Sequence, residues 1–105
     1  MYTKYLFHRI KLSNREFPGL ERPLVLEYYM LESEVDYISE LAGRKVYGVS
    51  VVKKVGRDCF EGDEIRNLSC SFNNTKQLLK TLSINKVTPV GLKFVLEDMI
   101  GDGIG

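Results

Sequence analysis

The chain has 105 residues, the length of a single domain, and is 44% hydrophobic and 28% charged with 3 prolines, a composition typical of a globular chain. Its 15 Lys and Arg against 14 Asp and Glu give a formal net charge of +1, which argues against a dedicated nucleic-acid binder, because phosphate neutralisation supplies much of that affinity. No apolar run approaches the roughly 20 residues of a membrane span and no secretory signal opens the chain, so we expect a cytoplasmic protein with reduced thiols and no membrane partner.

The N-terminal region, residues 1–22, is the part of the sequence with the most ambiguous pattern. Residues 2–12 alternate as a strand does, although Tyr2 and Arg9 would also share one face of a helix. Their Tyr, Phe and Ile content favours a strand. Residues 13–23 contain Pro-Gly and a second proline, which predicts a loop.

Two strands follow, separated by a connection. Residues 24–35 are rich in β-branched and aromatic side chains and have no internal breaker, so they predict a strand. Residues 34–44 predict either a short helical turn or a long hairpin connection that stops at Gly43. Residues 45–55 predict a second strand with one face on a core and the other in water, as in an antiparallel sheet. The expected core face of that strand carries Tyr47, Val49, Val51 and Val55.

A turn and a further strand are predicted next. Residues 56–63 contain two glycines and predict a turn, with Cys59 exposed in it. Residues 64–72 predict a strand with a bulge or irregular entry at Ile65, whose parity is opposite to that of the other apolar residues. The apolar face of this strand is expected to carry Leu68, Cys70 and Phe72, with Cys70 as a small hydrophobic residue of the core.

The pattern then changes to a helical period. Residues 73–85 begin with capping residues and predict a helix, with an apolar stripe of Leu78, Leu79 and Leu82. Thr88 as N-cap and Pro89 at the first helical position predict a second helix. Its apolar stripe is Leu92, Val95, Leu96 and Met99, widened by Ile100. Gly101 is expected to end this helix, and residues 101–105 to form a frayed tail.

The order of these elements, strands first and helices last, predicts the fold class. We expect one α+β domain over residues 1–105, with a three- to four-stranded antiparallel β-meander followed by two C-terminal α-helices packed on one face. No internal repeat and no low-complexity segment is present in the sequence.

The second half of the chain carries a resemblance to a known family. Tyr47-Gly48-Val49, a Lys-rich hairpin, a strand that ends in Ser69 and the segment NKVTPVGLKFVLEDMI stand in a characteristic order. In this order the chain resembles a family of short uncharacterised proteins of Clostridium-type Firmicutes, over roughly residues 24–100. The resemblance implies a bacterial cytoplasmic protein with a single fold, and it assigns no functional residues.

Glu97 and Asp98, adjacent near the end of the second predicted helix, are the first candidates for acid–base chemistry. Adjacent helical residues point about 100° apart, so the two carboxylates do not face one site. General acid–base pairs need carboxylates that do. We therefore expect both side chains on the solvated flank of the helix.

His8 is the single histidine of the chain, and a nucleophilic site would need it beside Cys59, Cys70 or a serine. Such a site needs three groups within reach of one another, and the sequence shows at most one of them. We therefore expect His8 to be an ordinary strand or surface residue. No catalytic constellation is visible, and we predict that the protein is not an enzyme. An enzyme of unidentified class remains as an alternative.

An acidic run in the predicted turn is the candidate for metal binding. It carries Asp58, Glu61, Asp63 and Glu64, but the ligand spacing of an EF-hand is absent. The two cysteines and one histidine form no standard zinc set. We expect a solvated hairpin loop, and we assign no catalytic, cofactor-binding or metal-binding residues.

Nucleic-acid binding is the second alternative, through the C-terminal helix pair or a basic hairpin. The second helix offers Lys93 alone for contacts with bases and phosphates, and two carboxylates that phosphates repel follow it. This helix is therefore poorly suited to recognise DNA. The basic hairpin carries Lys53, Lys54 and Arg57, a number of charges more typical of a solvated edge.

The aromatic strands favour a protein partner. Four tyrosines lie in or near the strand region, namely Tyr28, Tyr29, Tyr37 and Tyr47. An exposed tyrosine beside Leu31 or Val46 would mark an interface, because aromatic residues are enriched there. The leading hypothesis is a small non-enzymatic protein-interaction or regulatory module that acts through a sheet face or the last helix on another protein or on itself as a homodimer.

Overall fold

The computed structural model describes residues 2–12, 23–34, 44–56 and 59–101. Its elements are four strands followed by two helices: β1 (Tyr2–Leu12), β2 (Leu24–Glu34), β3 (Lys45–Val55), β4 (Cys59–Ser69), α1 (Phe72–Ile84) and α2 (Pro89–Gly101). The predicted α+β class, the meander and the helix pair are confirmed. The predictions for residues 13–22, 35–43 and 102–105 lie outside the described residues.

The four strands form one sheet in the order β1-β2-β3-β4, and every neighbouring pair is antiparallel. β1 and β4 are therefore the edge strands. β2 and β3 pair in continuous register from Leu24 opposite Val55 to Glu34 opposite Lys45. The strand preferred for residues 2–12 is confirmed, and both central strands lie where the sequence predicts them.

β4 differs from its prediction. It begins at Cys59 and ends at Ser69, so most of the expected turn at 56–63 is strand. Phe72 is instead the first residue of α1. Cys70 follows the strand and is exposed, so its prediction as a core residue was wrong. The strand pattern was extended too far, because Ser71 caps the next helix by accepting from the amide of Asn74 at 3.1 Å.

The irregular entry expected near Ile65 is a bulge between β3 and β4. The register changes from Val49 opposite Ile65 to Tyr47 opposite Ser69, so three residues of β4 lie against Gly48. A Cβ atom at Gly48 would overlap the carbonyl oxygen of Ile65. The absence of a side chain at this position therefore allows the two backbones to approach at the bulge.

Both helices pack on one face of the sheet and share one core with it. Leu79 and Leu82 of α1 and Leu92 and Leu96 of α2 are buried in that core, which confirms the predicted stripes for these four residues. The sheet contributes Leu12, Leu24, Leu26, Tyr28, Met30, Val49 and Val51. The hydroxyl of Tyr28 donates to the carbonyl of Val87 at 2.8 Å and so fastens the α1–α2 connection to the sheet.

The opposite face of the sheet was predicted to lie in water, and this was wrong in part. Glu27, Leu31 and Ser50 belong to that face by their strand alternation, yet all three are buried. At Glu27 the reason is visible: the long side chains of Arg9 and Lys54, from the two neighbouring strands, bind its carboxylate and lie over it.

Candidate functional site

A groove of about 420 Å³ opens between the N-terminal halves of β1 and α1, over β2. This volume falls within the range of ligand pockets. Its lining is mostly apolar and comprises Tyr5, Leu6, Phe7, Met30, Glu32, Phe72 and Lys76. Met30 is 4% exposed, whereas Tyr5, Leu6 and Phe72 are about half exposed. The groove therefore has a buried floor and an accessible aromatic rim.

Local irregularities of the chain shape this groove. The pairing of β1 with β2 shifts register between Leu6 and His8, so the bulge at Phe7 changes how the first half of β1 presents its side chains. On the other wall, the cap at Ser71 starts α1 at Phe72. The Phe72 ring stands edge-on to Tyr47, with centroids 5.7 Å apart and an interplanar angle of 79°, which holds it at the rim.

One end of the groove is closed by a polar cluster around Glu32. The hydroxyl of Tyr5 donates to one carboxylate oxygen and the ammonium of Lys45 binds the other, each at 2.8 Å. The hydrogen bond from Lys45, followed by that from Tyr5, lowers the pKa of Glu32, and the same contacts with Glu32 raise the pKa of Tyr5 and of Lys45. The ammonium of Lys45 therefore already balances the charge of Glu32. Lys76, the other charged residue that lines the groove, forms no ion pair among the described residues.

The groove adjoins a free strand edge. In the part of the chain that the structure describes, no strand pairs with the outer edge of β1. Residues 3–6 of β1 are all exposed, so their outward backbone amide and carbonyl groups are accessible to another chain. The groove and the edge of β1, residues 3–7, together form what we call the β1 docking surface.

A second polar cluster lies on the sheet face away from the helices. Glu27, 1% exposed, accepts from Arg9 at 2.7 Å, Lys54 at 3.0 Å and the hydroxyl of Tyr29 at 2.9 Å. Burial alone raises the pKa of Glu27, but the hydrogen bonds from Lys54, Tyr29 and Arg9 outweigh it and lower that pKa overall. The buried carboxylate is thus bonded to side chains from three neighbouring strands, so this cluster stabilises the sheet.

A third feature is the outer side of α2. Val90 and Phe94 are each 69% exposed and lie one helical turn apart, on the side away from buried Leu92. Glu97 and Asp98 are exposed, as the sequence predicts for the solvated flank of this helix.

His8 and the cysteines are not brought together. His8 lies on edge strand β1 and Cys59 on edge strand β4, about 14 Å apart or more across three strand spacings. Cys70 follows the other end of β4, roughly 35 Å from Cys59 along an extended strand. The predicted exposure of Cys59 is confirmed, but it lies in a strand and not in a turn.

The described acidic and basic candidate residues of the β3–β4 hairpin lie in strands, and both of its lysines form ion pairs. Glu61, Asp63 and Glu64 lie in β4 and not in a loop, while Asp58 and Arg57 are outside the described residues. Within the described ranges no three His, Cys, Asp or Glu side chains are placed to hold a metal ion. Lys53 pairs with Glu61 and Lys54 with Glu27, so neither lysine of the predicted basic hairpin is available as an unpaired charge.

The tyrosines expected to mark an interface are mostly covered. Tyr28 is buried, Tyr29 and Tyr47 are half-buried, and Tyr37 lies outside the described residues. Among the residues whose exposure the structure describes, the exposed tyrosines and phenylalanines are Tyr5, Phe60, Phe72 and Phe94. The sequence analysis placed Phe72 on the apolar face of a strand, which was wrong, and it singled out none of the four as an interface residue. For Phe94 a signal existed, since it falls outside the stripe that contains Leu92 and Leu96.

The fold and these surfaces define a small α+β domain, in which a four-stranded antiparallel meander is covered on one face by two helices. A family model described as a family of unknown function, DUF6514, matches residues 9–102, and the chain belongs to that family. No curated protein and no solved structure matches the chain. None of the helices in the described ranges is long and apolar enough to cross a membrane.

Proposed function

We propose that the protein is a non-enzymatic protein-interaction module of a Clostridium-type Firmicutes bacterium, and that it binds a segment of a partner protein at the β1 docking surface. The observation that supports this most is the groove, which combines a buried apolar floor at Met30 with half-exposed Tyr5, Leu6 and Phe72 at its rim. An open, mostly apolar depression beside a strand edge suits an extended peptide better than an enclosed small molecule.

The mode of binding is strand addition. An extended segment pairs its backbone with the outer edge of β1, and alternate side chains of that segment point toward the groove. Main-chain hydrogen bonds supply affinity without reading sequence. The groove supplies specificity by accepting one large apolar side chain over Met30.

The charges around the groove select the rest of the segment. β1 contains Lys4, Arg9 and Lys11 and no Asp or Glu, and Lys76 stands at the groove rim. Arg9 is already paired with Glu27, and the Lys4 ammonium lies over the ring of Tyr29. Lys11 lies near the far end of β1, beyond the groove. Lys76 is therefore the cation left to a partner at the groove, and the bound segment carries an acidic residue beside its large apolar residue.

The proposed compartment is the cytoplasm. Cys59 and Cys70 are both free and exposed, and exposed thiols persist in a reducing compartment, whereas an oxidising one favours their oxidation or pairing between chains. Fractionation of the host with an antibody against the chain tests this. Recovery of the protein with secreted or periplasmic markers would contradict it.

The experiment that tests the function is a selection from a library of random peptides, followed by affinity measurements on three folded proteins. These are the wild type, Leu6→Lys at the groove rim, and Phe60→Lys as a matched control on the other edge strand, where Phe60 is 75% exposed. We expect the selected peptides to share a large apolar residue with an acidic residue beside it. Leu6→Lys should weaken their binding by roughly tenfold or more, since a charge replaces an apolar contact, and Phe60→Lys should leave it unchanged.

Two outcomes would remove the proposal: selected peptides that bind Leu6→Lys as tightly as the wild type, or a selection that yields no binder. A capture from host lysate, with and without nuclease, separates the nucleic-acid alternative. A protein retained by the wild type and lost by Leu6→Lys in both arms supports the module, whereas recovery that disappears with nuclease contradicts it.

A further inference from the structure

The outer side of α2 carries an apolar ridge that nothing in the described part of the chain covers. We call Val90 and Phe94 the α2 ridge; each is 69% exposed, and they are four residues apart on one line of the helix. The opposite side of the same helix is buried through Leu92 and Leu96. A helix that is apolar on two sides is typical of one that packs on two sides.

The charges beside the α2 ridge indicate what packs there. Lys93 and Glu97 are exposed and lie on the same flank of the ridge, four residues and one turn apart. Lys93 is thus toward the start of the helix and Glu97 toward its end. This arrangement is complementary to a copy of itself that runs in the opposite direction.

We propose that two copies of the chain associate through α2, antiparallel, about a two-fold axis that crosses the α2 ridge next to Phe94, midway along the helix between Lys93 and Glu97. In an antiparallel two-fold helix pair the same flanks meet, so Lys93 of each copy faces Glu97 of the other. The two Phe94 rings lie close to the axis and contact each other. In a parallel two-fold pair opposite flanks meet, so Glu97 of each copy would lie beside Asp98 of the other, which like-charge repulsion disfavours, and Lys93 would face no carboxylate.

The size of the contact sets its strength. A helix pair with 13 residues on each side covers less than the roughly 800 Å² per partner of a standard interface. The formal net charge of +1 gives the two copies little long-range repulsion. The dimer is therefore weak and concentration-dependent, and it is independent of the β1 docking surface, because α2 packs on β3 and β4.

Sedimentation equilibrium over a concentration series up to roughly millimolar, the range of weak complexes, tests the proposal. The wild type should show a monomer–dimer equilibrium. Phe94→Ser should shift it to monomer, and Phe60→Ser, at a comparably exposed phenylalanine on β4, should leave it unchanged. A wild type that remains monomeric throughout, or a dimer that persists in Phe94→Ser, overturns the proposal.

The charge pairing has its own test, which a contact within one helix would not pass. Lys93→Glu and Glu97→Lys, each alone, place like charges across the axis and should weaken the dimer roughly tenfold. A 1:1 mixture of the two variants should associate again as a heterodimer, because one copy then carries two carboxylates on this flank and the other copy two ammonium groups. If both variants are folded by circular dichroism but the mixture stays monomeric, the antiparallel arrangement is wrong.

Discussion

At the scale of single residues, Glu27 is the side chain on which three strands depend. It lies on β2, is 1% exposed, and accepts from Arg9 on β1 and Lys54 on β3. A buried carboxylate is costly unless it is paired and hydrogen-bonded. The contacts compensate that cost as long as the carboxylate is charged, which makes the stability of the sheet depend on pH.

The substitution Glu27→Gln tests this dependence. The folded-state pKa of Glu27 is below its ordinary value of 4.5, so its contribution to stability is present above about pH 4.5 and is lost as the pH falls through the folded-state pKa. At pH 7 the variant should lose about 2 kcal/mol in free energy of unfolding, the scale of a charged hydrogen bond. The loss should vanish in acid, where Glu27 is protonated in both states.

Urea unfolding of the wild type and the variant between pH 3 and pH 7 measures this difference. The control is Glu61→Gln, whose pair with Lys53 is partly exposed and should contribute about 0.5 kcal/mol or less. A difference between wild type and Glu27→Gln that stays constant over the whole pH range would contradict the argument.

At the scale of elements, the end of α1 contains a backbone conformation that its residue does not favour. The amide of Lys86 donates to the carbonyl of Ser83 at 3.1 Å, and that of Val87 to the carbonyl of Leu82 at 3.0 Å. These two bonds form a Schellman motif, completed by the buried pair Val87 and Leu82. The position after the cap is usually Gly, yet here Lys86 holds it with φ of 51°.

Lys86→Gly should therefore stabilise the protein by about 1 kcal/mol, because it removes the steric cost of a left-handed residue that has a Cβ atom. Asn85→Gly is the control. Asn85 has φ of −87°, where Gly gains nothing and loses more entropy on folding. Thermal and urea unfolding of both variants give the comparison, and a Lys86→Gly variant no more stable than the wild type would count against this reading of the turn.

The elements also show what the sequence could predict. β2 and β3 are dense in β-branched and aromatic residues and have no breaker, so pattern and structure agree. β4 has Gly62 and several acidic residues in its first half, and edge strands tolerate such residues because one side is solvated. The composition of residues 56–63 therefore predicted a turn where the structure has the first half of β4. The start of α2 was predictable, since Pro89 occupies the first helical position, where its missing amide costs little.

At the scale of the whole molecule, the docking surfaces depend on contacts that no local pattern contains. The groove joins Leu6, Met30 and Phe72 from three elements, and the bulge in β1 decides which side chains line it. Such a site follows from tertiary packing and not from periodicity. The α2 ridge is different: Phe94 stands off the apolar stripe of its own helix, so the sequence already contained that signal.

The positions of the two surfaces in the sheet lead to a last prediction. The β1 docking surface is at one edge, and α2 covers β3 and β4 toward the other, so a dimer through α2 leaves both grooves free at its outer ends. Such a dimer is bivalent, and bivalency slows release from a surface without changing the affinity of either site.

On a sensor densely coated with a groove-binding peptide, the wild type should dissociate roughly tenfold more slowly than Phe94→Ser. In solution the two proteins should bind a labelled peptide equally, and on a sparsely coated sensor their dissociation rates should converge. Equal rates on the dense surface, with a dimer present in the same sample, would mean that the contact through α2 blocks one of the grooves.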